Sequence, residues 1–392
     1  MLCNKRVRPN VSQYYLLDMQ DIPSIEEFRT QAAAFIAAAV RSNDACPAYG
    51  AILPPHLHKP AMHWQRFCFE EGWAGVHWPE KYGGMGLTPA HNIVWHEECA
   101  IAEVAPYLNL QGLVLAGEAI LRSGTPQQRE RFLRPTLRNE ILWCQLFSEP
   151  GAGSDLAGLQ TSAVADGDQF LLNGQKVWSS NAQFAQFGIL MARTDNDQPK
   201  HKGISFFLLD MALEGIEVRP IKQMTGDSEF CEVFFTDVSM PSDSLLGEVN
   251  EGWGVAMAVL EDERGGAGAA GVISLGKRLE TMAEKSAALD DVRTEKLTGI
   301  LNRGKALQAL MERRGGDPLI APVAKLMNSE LGYSEAQLDS LLQGAEAMLH
   351  SDTTENLLYS PGMRIAGGSS EIQRNIIGER ILGLPREPQR SE

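Results

Sequence analysis

The periodicity of the chain changes twice, and that order constrains its architecture more than any other feature. From about Ile25 to Arg138 the apolar residues recur at helical spacing, as in SIEEFRTQAAAFIAAAVR, where a Ser and acidic residues precede an Ala-rich stripe. After Leu142 the pattern alternates in FLLNGQKVWSS, FGILMART, GISFFLLDM, IEVRPI and CEVFFTDVSM, which read as strands of one antiparallel β domain. Asp166-Gly167 and Asn173-Gly174 both read as tight turns, because Gly tolerates positive φ. Pro241 closes the strand region, and from about Trp253 the text is helical again. Segregated helices, strands and helices predict an α+β chain and exclude a doubly wound parallel sheet. The expected regions are a helical domain over residues 1–138, a β domain over 139–242 and a helical domain over 243–392.

Composition narrows the function classes. With 35 Lys and Arg against 50 Asp and Glu, the formal charge of −15 works against a phosphate backbone, so no nucleic-acid partner is expected. The six cysteines form no CxxC pair, which reads as reduced buried thiols and not as a zinc site or a disulfide framework. No apolar run approaches the roughly 18 residues that span a bilayer, and the first residues lack a signal-peptide core. A cytoplasmic protein without membrane insertion is expected.

Residues 143–158, WCQLFSEPGAGSDLAG, place Gly151 and Gly153 among the hydroxyls of Ser148 and Ser154. Such a loop can cradle an anion or a flavin edge, and it reads equally as a Pro-Gly turn with a capping Ser-Asp. On spacing alone Trp178 is a strand aromatic filling the core. GAGAAG at residues 266–271 satisfies GxGxxG, with Asp290 near the distance of a ribose carboxylate, yet no buried strand precedes it, and it reads as small residues in a helix. His56, His58 and His63 lie in a Pro-rich connection without an evident Cys or carboxylate partner and read as a solvated loop. Ala256, Val259, Leu260, Ala267 and Ala270 stand at helical steps around Glu263, so a carboxylate interrupts an apolar face. A carboxylate desolvated in that way is matched to proton abstraction near neutrality, whereas an ion pair with Arg264 is the structural alternative.

Residues 143–158, with NGQKVWSSNA at 173–182, QMTGDSEFCEVFFTDVSMP at 223–241 and IAGGSSEIQRNIIGERILGLPREP at 365–388, resemble the acyl-CoA dehydrogenase family in the correct order. That resemblance implies an amino-terminal helical domain, a middle antiparallel β domain and a carboxy-terminal four-helix bundle around FAD. It implies that Gln145, Phe147, Ser148, Gly153 and Ser154 line the flavin or the thioester, that Trp178 and Ser180 contact the isoalloxazine, and that Gly368, Ser369 and Glu371 approach from the carboxy-terminal end. Arg293 occupies the region of the family's adenine contact, and Glu261 and Arg264 would contact the CoA arm. Many members hold their base immediately before the Gly of the last motif, where this chain has Gly367; a subgroup similar to isovaleryl-CoA and long-chain dehydrogenases holds it earlier, before an Arg, and Glu263 matches that position. The implied reaction is dehydrogenation of an acyl-CoA thioester to the trans-2-enoyl-CoA, with Glu263 as base and flavin N5 as hydride acceptor. An electron-transferring flavoprotein would then take the electrons. The implied assembly is a homotetramer or homodimer, or a heteromer with a homologous subunit. A same-fold flavin oxidase or monooxygenase and a non-catalytic subunit are the competing readings. The ending also resembles dehydrogenases of bacterial steroid side-chain breakdown, and Gly265, Gly266, Gly268 and Gly271 suggest room for a branched or polycyclic acyl chain.

Overall fold

The computed structural model describes residues 22–49, 53–109, 111–263, 266–284, 289–312 and 320–385. Its first layer is helical: α1 (Ile25–Ser42), α2 (His58–Glu70), α3 (Pro89–Ile101), α4 (Gly117–Ser123) and α5 (Pro126–Leu137). The Ser24 hydroxyl accepts from the Glu27 amide at 3.3 Å while the Glu27 carboxylate accepts from the Ser24 amide at 2.8 Å, so α1 starts in a capping box. Phe28, Ala32, Ile36 and Ala39 then fall on one buried stripe. Their core is aromatic. Trp95 lies 5.6 Å from Trp73, 5.8 Å from Tyr107 and 6.1 Å from Phe35. A π-helical turn, Gln111–Ala116, precedes α4 and packs on both β1 and α6, defined below.

The sheet contains β1 (Trp143–Leu146), β2 (Ser162–Asp166), β3 (Gln169–Ser180), β4 (Phe187–Arg193), β5 (Ile204–Asp210), β6 (Ile216–Ile221), β7 (Phe230–Pro241) and β8 (Leu245–Leu246). Strand order is β6-β7-β3-β2-β4-β5-β8, with β1 beside β4; the β1–β4 pairing and the single β2–β4 bridge are parallel, and the rest are antiparallel. β4 and β5 are buried on both faces. Ile189, Met191, Phe206 and Leu208 join the core of the helical layer, while Leu190, Ala192, Phe207 and Leu209 join the core on the other side. A two-residue period delivers one strand to two cores.

Asp166 and Gly167 make the expected turn, Gly167 at φ 64°, between β2 and β3. Asn173-Gly174 does not turn the chain. It lies inside β3 at a bulge, where the register against β7 shifts between Leu172 and Gly174. Gly174 sits at φ 146°, and a Cβ there would stand 2.6 Å from Thr161 Oγ1 and 2.7 Å from Thr161 Cα, so glycine serves close approach of strands instead of reversal. Asn173 holds the bulge by accepting from the Asp237 amide at 2.9 Å.

The last layer contains α6 (Gly252–Glu263), α7 (Gly266–Glu284), α8 (Asp291–Glu312), α9 (Ile320–Gln343), α10 (Asp352–Met363) and α11 (Ser370–Ile376). Ala256 and Val259 of α6 bury in the core of the first layer, whereas Val272, Leu275, Ile300, Leu307 and Leu331 of α7, α8 and α9 form a third cluster. The GxGxxG match falls in α7, and Asp290 instead precedes α8 and accepts from the Arg293 amide at 2.8 Å; residues 266–271 are helical, as read. α2 begins at His58, so this histidine and His63 are helical and not in a loop, and the His63 Nε2 pairs with Asp44 at 2.8 Å. Among the described residues no group of three His, Cys, Asp or Glu side chains could hold a metal, and no helix is long and apolar enough to cross a membrane. Cys46, Cys68, Cys99, Cys144 and Cys231 are free and buried; Cys3 lies outside the described residues.

The seat of α6 on β5 is tight enough to test. A Cβ at Gly252 would lie 2.4 Å from Ser205 C and 2.5 Å from Phe206 N, which are backbone atoms that cannot rotate away. Gly252→Val is therefore expected to destabilise the fold by about 1–3 kcal/mol, the usual cost of overpacking. Gly254→Ala, whose added methyl meets nothing within 4 Å, should leave the urea midpoint unchanged or raise it.

Candidate active site

The site begins where β1 runs into the 147–161 loop. Gln145, half-buried, lies opposite Ile189 in the β1–β4 register. The Phe147 ring is only 4% exposed and stands edge-on to Phe206 at 5.8 Å, so it is the backbone of Phe147, not its ring, that borders the loop. The Ser148 carbonyl accepts from the Val177 amide at 2.9 Å. That bond ties the loop to β3 one residue before Trp178.

Trp178 is the most informative residue of the site. The ladder between β3 and β7 slips between Lys176 and Ser179, and the bulge puts Trp178 at φ 61°, a left-handed conformation costly for a bulky side chain. Its indole is 58% exposed and meets Phe230 edge-on at 5.8 Å. Core filling, the reading from spacing alone, is therefore corrected: the bulge turns the ring out of the core and onto the surface. Ser180 is half-buried opposite Phe230.

Gly151, Gly153 and Ser154 are exposed, and a Cβ at either glycine would meet no atom within 4 Å. Open backbone beside an outward aromatic fits a flat, partly anionic cofactor such as FAD: the indole offers a face to stack on and the loop offers N–H groups.

Charged residues that the sequence reading did not single out hold this loop. Lys176 is fully buried and donates to the Phe147 carbonyl at 3.0 Å and to Glu149 Oε1 at 2.8 Å. Glu149 accepts in addition from the amides of Gln160 at 2.7 Å and Thr161 at 2.9 Å. Arg193 donates to the carbonyls of Ala157 at 2.7 Å and Lys200 at 2.8 Å. Burial pushes the Glu149 carboxyl up, but the Lys176 charge and the hydrogen bonds outweigh it and leave the group below the usual carboxylate range. Burial pulls the Lys176 ammonium down to about 8 against the pull of Glu149. A signal existed: Lys176 shares the inward phase of β3 with Phe170 and Leu172, where a lysine needs a partner.

From the carboxy-terminal side, Gly367 and Gly368 sit at φ 64° and 94° before α11, which Ser369 caps by accepting from the Ile372 amide at 3.3 Å. Lys325 Nζ donates to the Gly368 carbonyl at 2.7 Å, and Glu330 braces Arg364 at 3.1 Å and Arg374 at 3.2 Å. Glu371 is exposed in the first turn of α11. No hydrogen bond or ring contact among the described residues joins Gly368, Ser369 or Glu371 to Trp178. α10 does approach that end of the sheet: Tyr359 is close enough for the Glu229 charge to add to the burial that raises its hydroxyl, and Glu229 precedes the Trp178 partner Phe230. Arg293 lies in the first turn of α8, with its guanidinium 3.5 Å from Asp290. Glu261 and Glu263 belong to the last turn of α6, but their side chains, like Arg264 and Gly265 entirely, lie outside the described residues.

The comparisons with known proteins bear on the family and the fold. Family profiles described as acyl-CoA dehydrogenase, N-terminal domain, middle domain and C-terminal domain match residues 23–140, 144–238 and 296–382. Acyl-CoA dehydrogenase IpdE1 of Mycobacterium tuberculosis is 37% identical over 387 residues, covering 94% of this chain and 99% of its own length. Acyl-CoA dehydrogenase FadE34 of the same organism is 40% identical over 331 residues, covering 81% of this chain and 45% of its own. Among solved structures, the ChsE4-ChsE5 complex from Mycobacterium tuberculosis superposes with a TM-score of 0.76 at 26% identity, over 95% of this chain and 100% of the matched one. The profiles in their order and an identity sustained along nearly the whole chain lead to one assignment: the chain belongs to the acyl-CoA dehydrogenase family and is an oxidoreductase of that kind.

Proposed function

We propose that this chain binds FAD against Trp178 and the 147–161 loop and dehydrogenates an acyl-CoA thioester at its α and β carbons, with Glu263 as the base. The observation that carries the reading is the outward indole of Trp178, held at φ 61° beside the loop that carries Ser148, Gly153 and Ser154. In the reaction Glu263 takes the α proton as the C–H bond opens and the α,β double bond forms. FAD, when bound, supplies the two-electron acceptor for the hydride leaving the β carbon. Backbone N–H groups that polarise the thioester carbonyl would acidify the α proton. Electrons pass onward to an electron-transferring flavoprotein. Gly367 supports the assignment of Glu263, because no carboxylate occupies the later position and none lies within a helical turn before it.

Gly266, Gly268 and Gly271 fall in the first turns of α7, and their lack of side chains supports a branched or polycyclic acyl group. A second reading, a non-catalytic subunit that pairs with an active homologue, follows if Glu263 is not the base, since the later position holds Gly367. Flavin content of the chain purified alone and with the partner separates the two, followed by reduction with a panel of CoA thioesters of straight, branched and polycyclic acids.

The purified protein is expected to be yellow with non-covalent FAD, and Trp178→Ala is expected to weaken FAD by about tenfold, a stacked aromatic being worth on the order of 1 kcal/mol or slightly more. Titration of apoprotein with FAD, followed by flavin fluorescence, measures this. A chain that gains no flavin absorbance, alone or with a partner subunit, would rule the reading out.

A further inference from the structure

We infer that the buried Lys176–Glu149 pair, braced by Arg193, is a positioning device that gives the 147–161 loop the shape in which it receives FAD. The inference rests on the FAD reading of that loop. Three polar side chains pin its backbone at both ends: Lys176 holds the Phe147 carbonyl, Glu149 holds the amides of Gln160 and Thr161, and Arg193 holds the Ala157 carbonyl. Gly151, Gly153 and Ser154 are exposed between these anchors, around a buried Ala152. Glu149 also exchanges two backbone hydrogen bonds with Ala152, at 3.0 and 3.1 Å, so the anchor and the glycine turn form one closed unit.

A hydrophobic pair in place of two buried charges would often fold as well or better, because each ion is taken out of water. What hydrophobes cannot do is accept two amides and donate to a carbonyl at once. The same β3 strand carries Lys176 and, two residues on, Trp178, so one short segment sets both the loop and the aromatic wall. These residues are buried, and they act through Phe147, Ser148 and Trp178. Lys176 faces two charged groups, Glu149 after β1 and Arg193 at the end of β4.

The proposal predicts a pH signature. The ammonium form donates most strongly to both partners and balances the Glu149 charge, and burial pulls it down to about 8. FAD affinity of the parent protein should be flat up to about pH 7 and fall with a limiting slope of about tenfold per pH unit above about pH 8, the one-proton linkage slope.

Two variants carry the test. Lys176→Met/Glu149→Gln removes both charges together, so no lone buried ion is left to unfold the protein. Its apoprotein is expected to fold, to bind FAD at least tenfold more weakly than the parent, and to lose the fall in affinity at high pH. Arg193→Met is expected to weaken FAD less and to keep the pH dependence. Hydrogen exchange of the peptide spanning residues 147–161, measured on the apoproteins by mass spectrometry, should quicken at Gln160 and Thr161 in the double variant; this needs no flavin. Parent protein that binds no FAD would defeat the FAD reading and leave the exchange result to decide the loop. Unchanged exchange in that peptide, or equal FAD affinity in parent and folded double variant across pH 7–9, would overturn the positioning role.

Discussion

Glu263→Gln is expected to slow reduction of the bound flavin by an acyl-CoA by about 100- to 10,000-fold, the usual cost of removing a positioned general base. FAD content and thioester binding should stay near parental, because the amide keeps the volume and one acceptor of the carboxylate. The size of the effect separates chemistry from scaffolding. An exposed ion pair with Arg264 contributes about 0–1 kcal/mol, and losing it would lower stability with little effect on the folded fraction's rate. Anaerobic stopped-flow mixing, read as flavin bleaching, gives the rate directly. Parental bleaching would remove Glu263 from the mechanism and turn attention to Glu261 and Asp262. Gly367 supplies a constructive counterpart, since a side chain there would enter open space, although its φ of 64° makes any substitution strained.

The largest expected loss of stability is at Trp95. It is fully buried among Phe35, Trp64, Trp73 and Tyr107, with centroids between 5.6 and 6.4 Å. Trp95→Ala removes the central ring of that stack and leaves a cavity its rigid neighbours cannot fill, so a cost of roughly 3–5 kcal/mol is expected. Trp178→Ala, the same replacement at an indole 58% exposed, should cost less than about 1 kcal/mol of stability while weakening FAD. Urea unfolding of the two variants in apoprotein form checks the contrast. Equal midpoints would mean that the aromatic stack is not what holds the first layer together.

What the sequence made legible follows from period. Helical and alternating stretches announce themselves over ten or more residues, which is why the order of layers, the strands around FGILMART and GISFFLLDM and the capped start at Ser24 could be read. Local chemistry misled where a distant strand decided the outcome. Asn173-Gly174 has the residues of a hairpin turn, yet Thr161 on the neighbouring segment needs the glycine for close approach. Trp178 has the phase of a core residue until the bulge after Lys176 reverses it, and a bulge of that kind leaves no mark in a two-residue pattern. Glu149 and Lys176 are 27 positions apart, so their pairing needed the fold, although a lysine on an inward phase asked for a partner.

The double burial of β4 and β5 bears on how this protein could be rebuilt. Alternate residues of each strand belong to different cores, so the helical layer and the sheet share material and do not meet at a seam. The regions are thus not interchangeable modules. A chimera that keeps this sheet and imports the helical layer from a relative must match Ile189, Met191, Phe206 and Leu208 to the new helices while keeping Leu190, Ala192, Phe207 and Leu209 for the old sheet core. Grafting at the apparent boundary near residue 140 satisfies the chain and violates the packing.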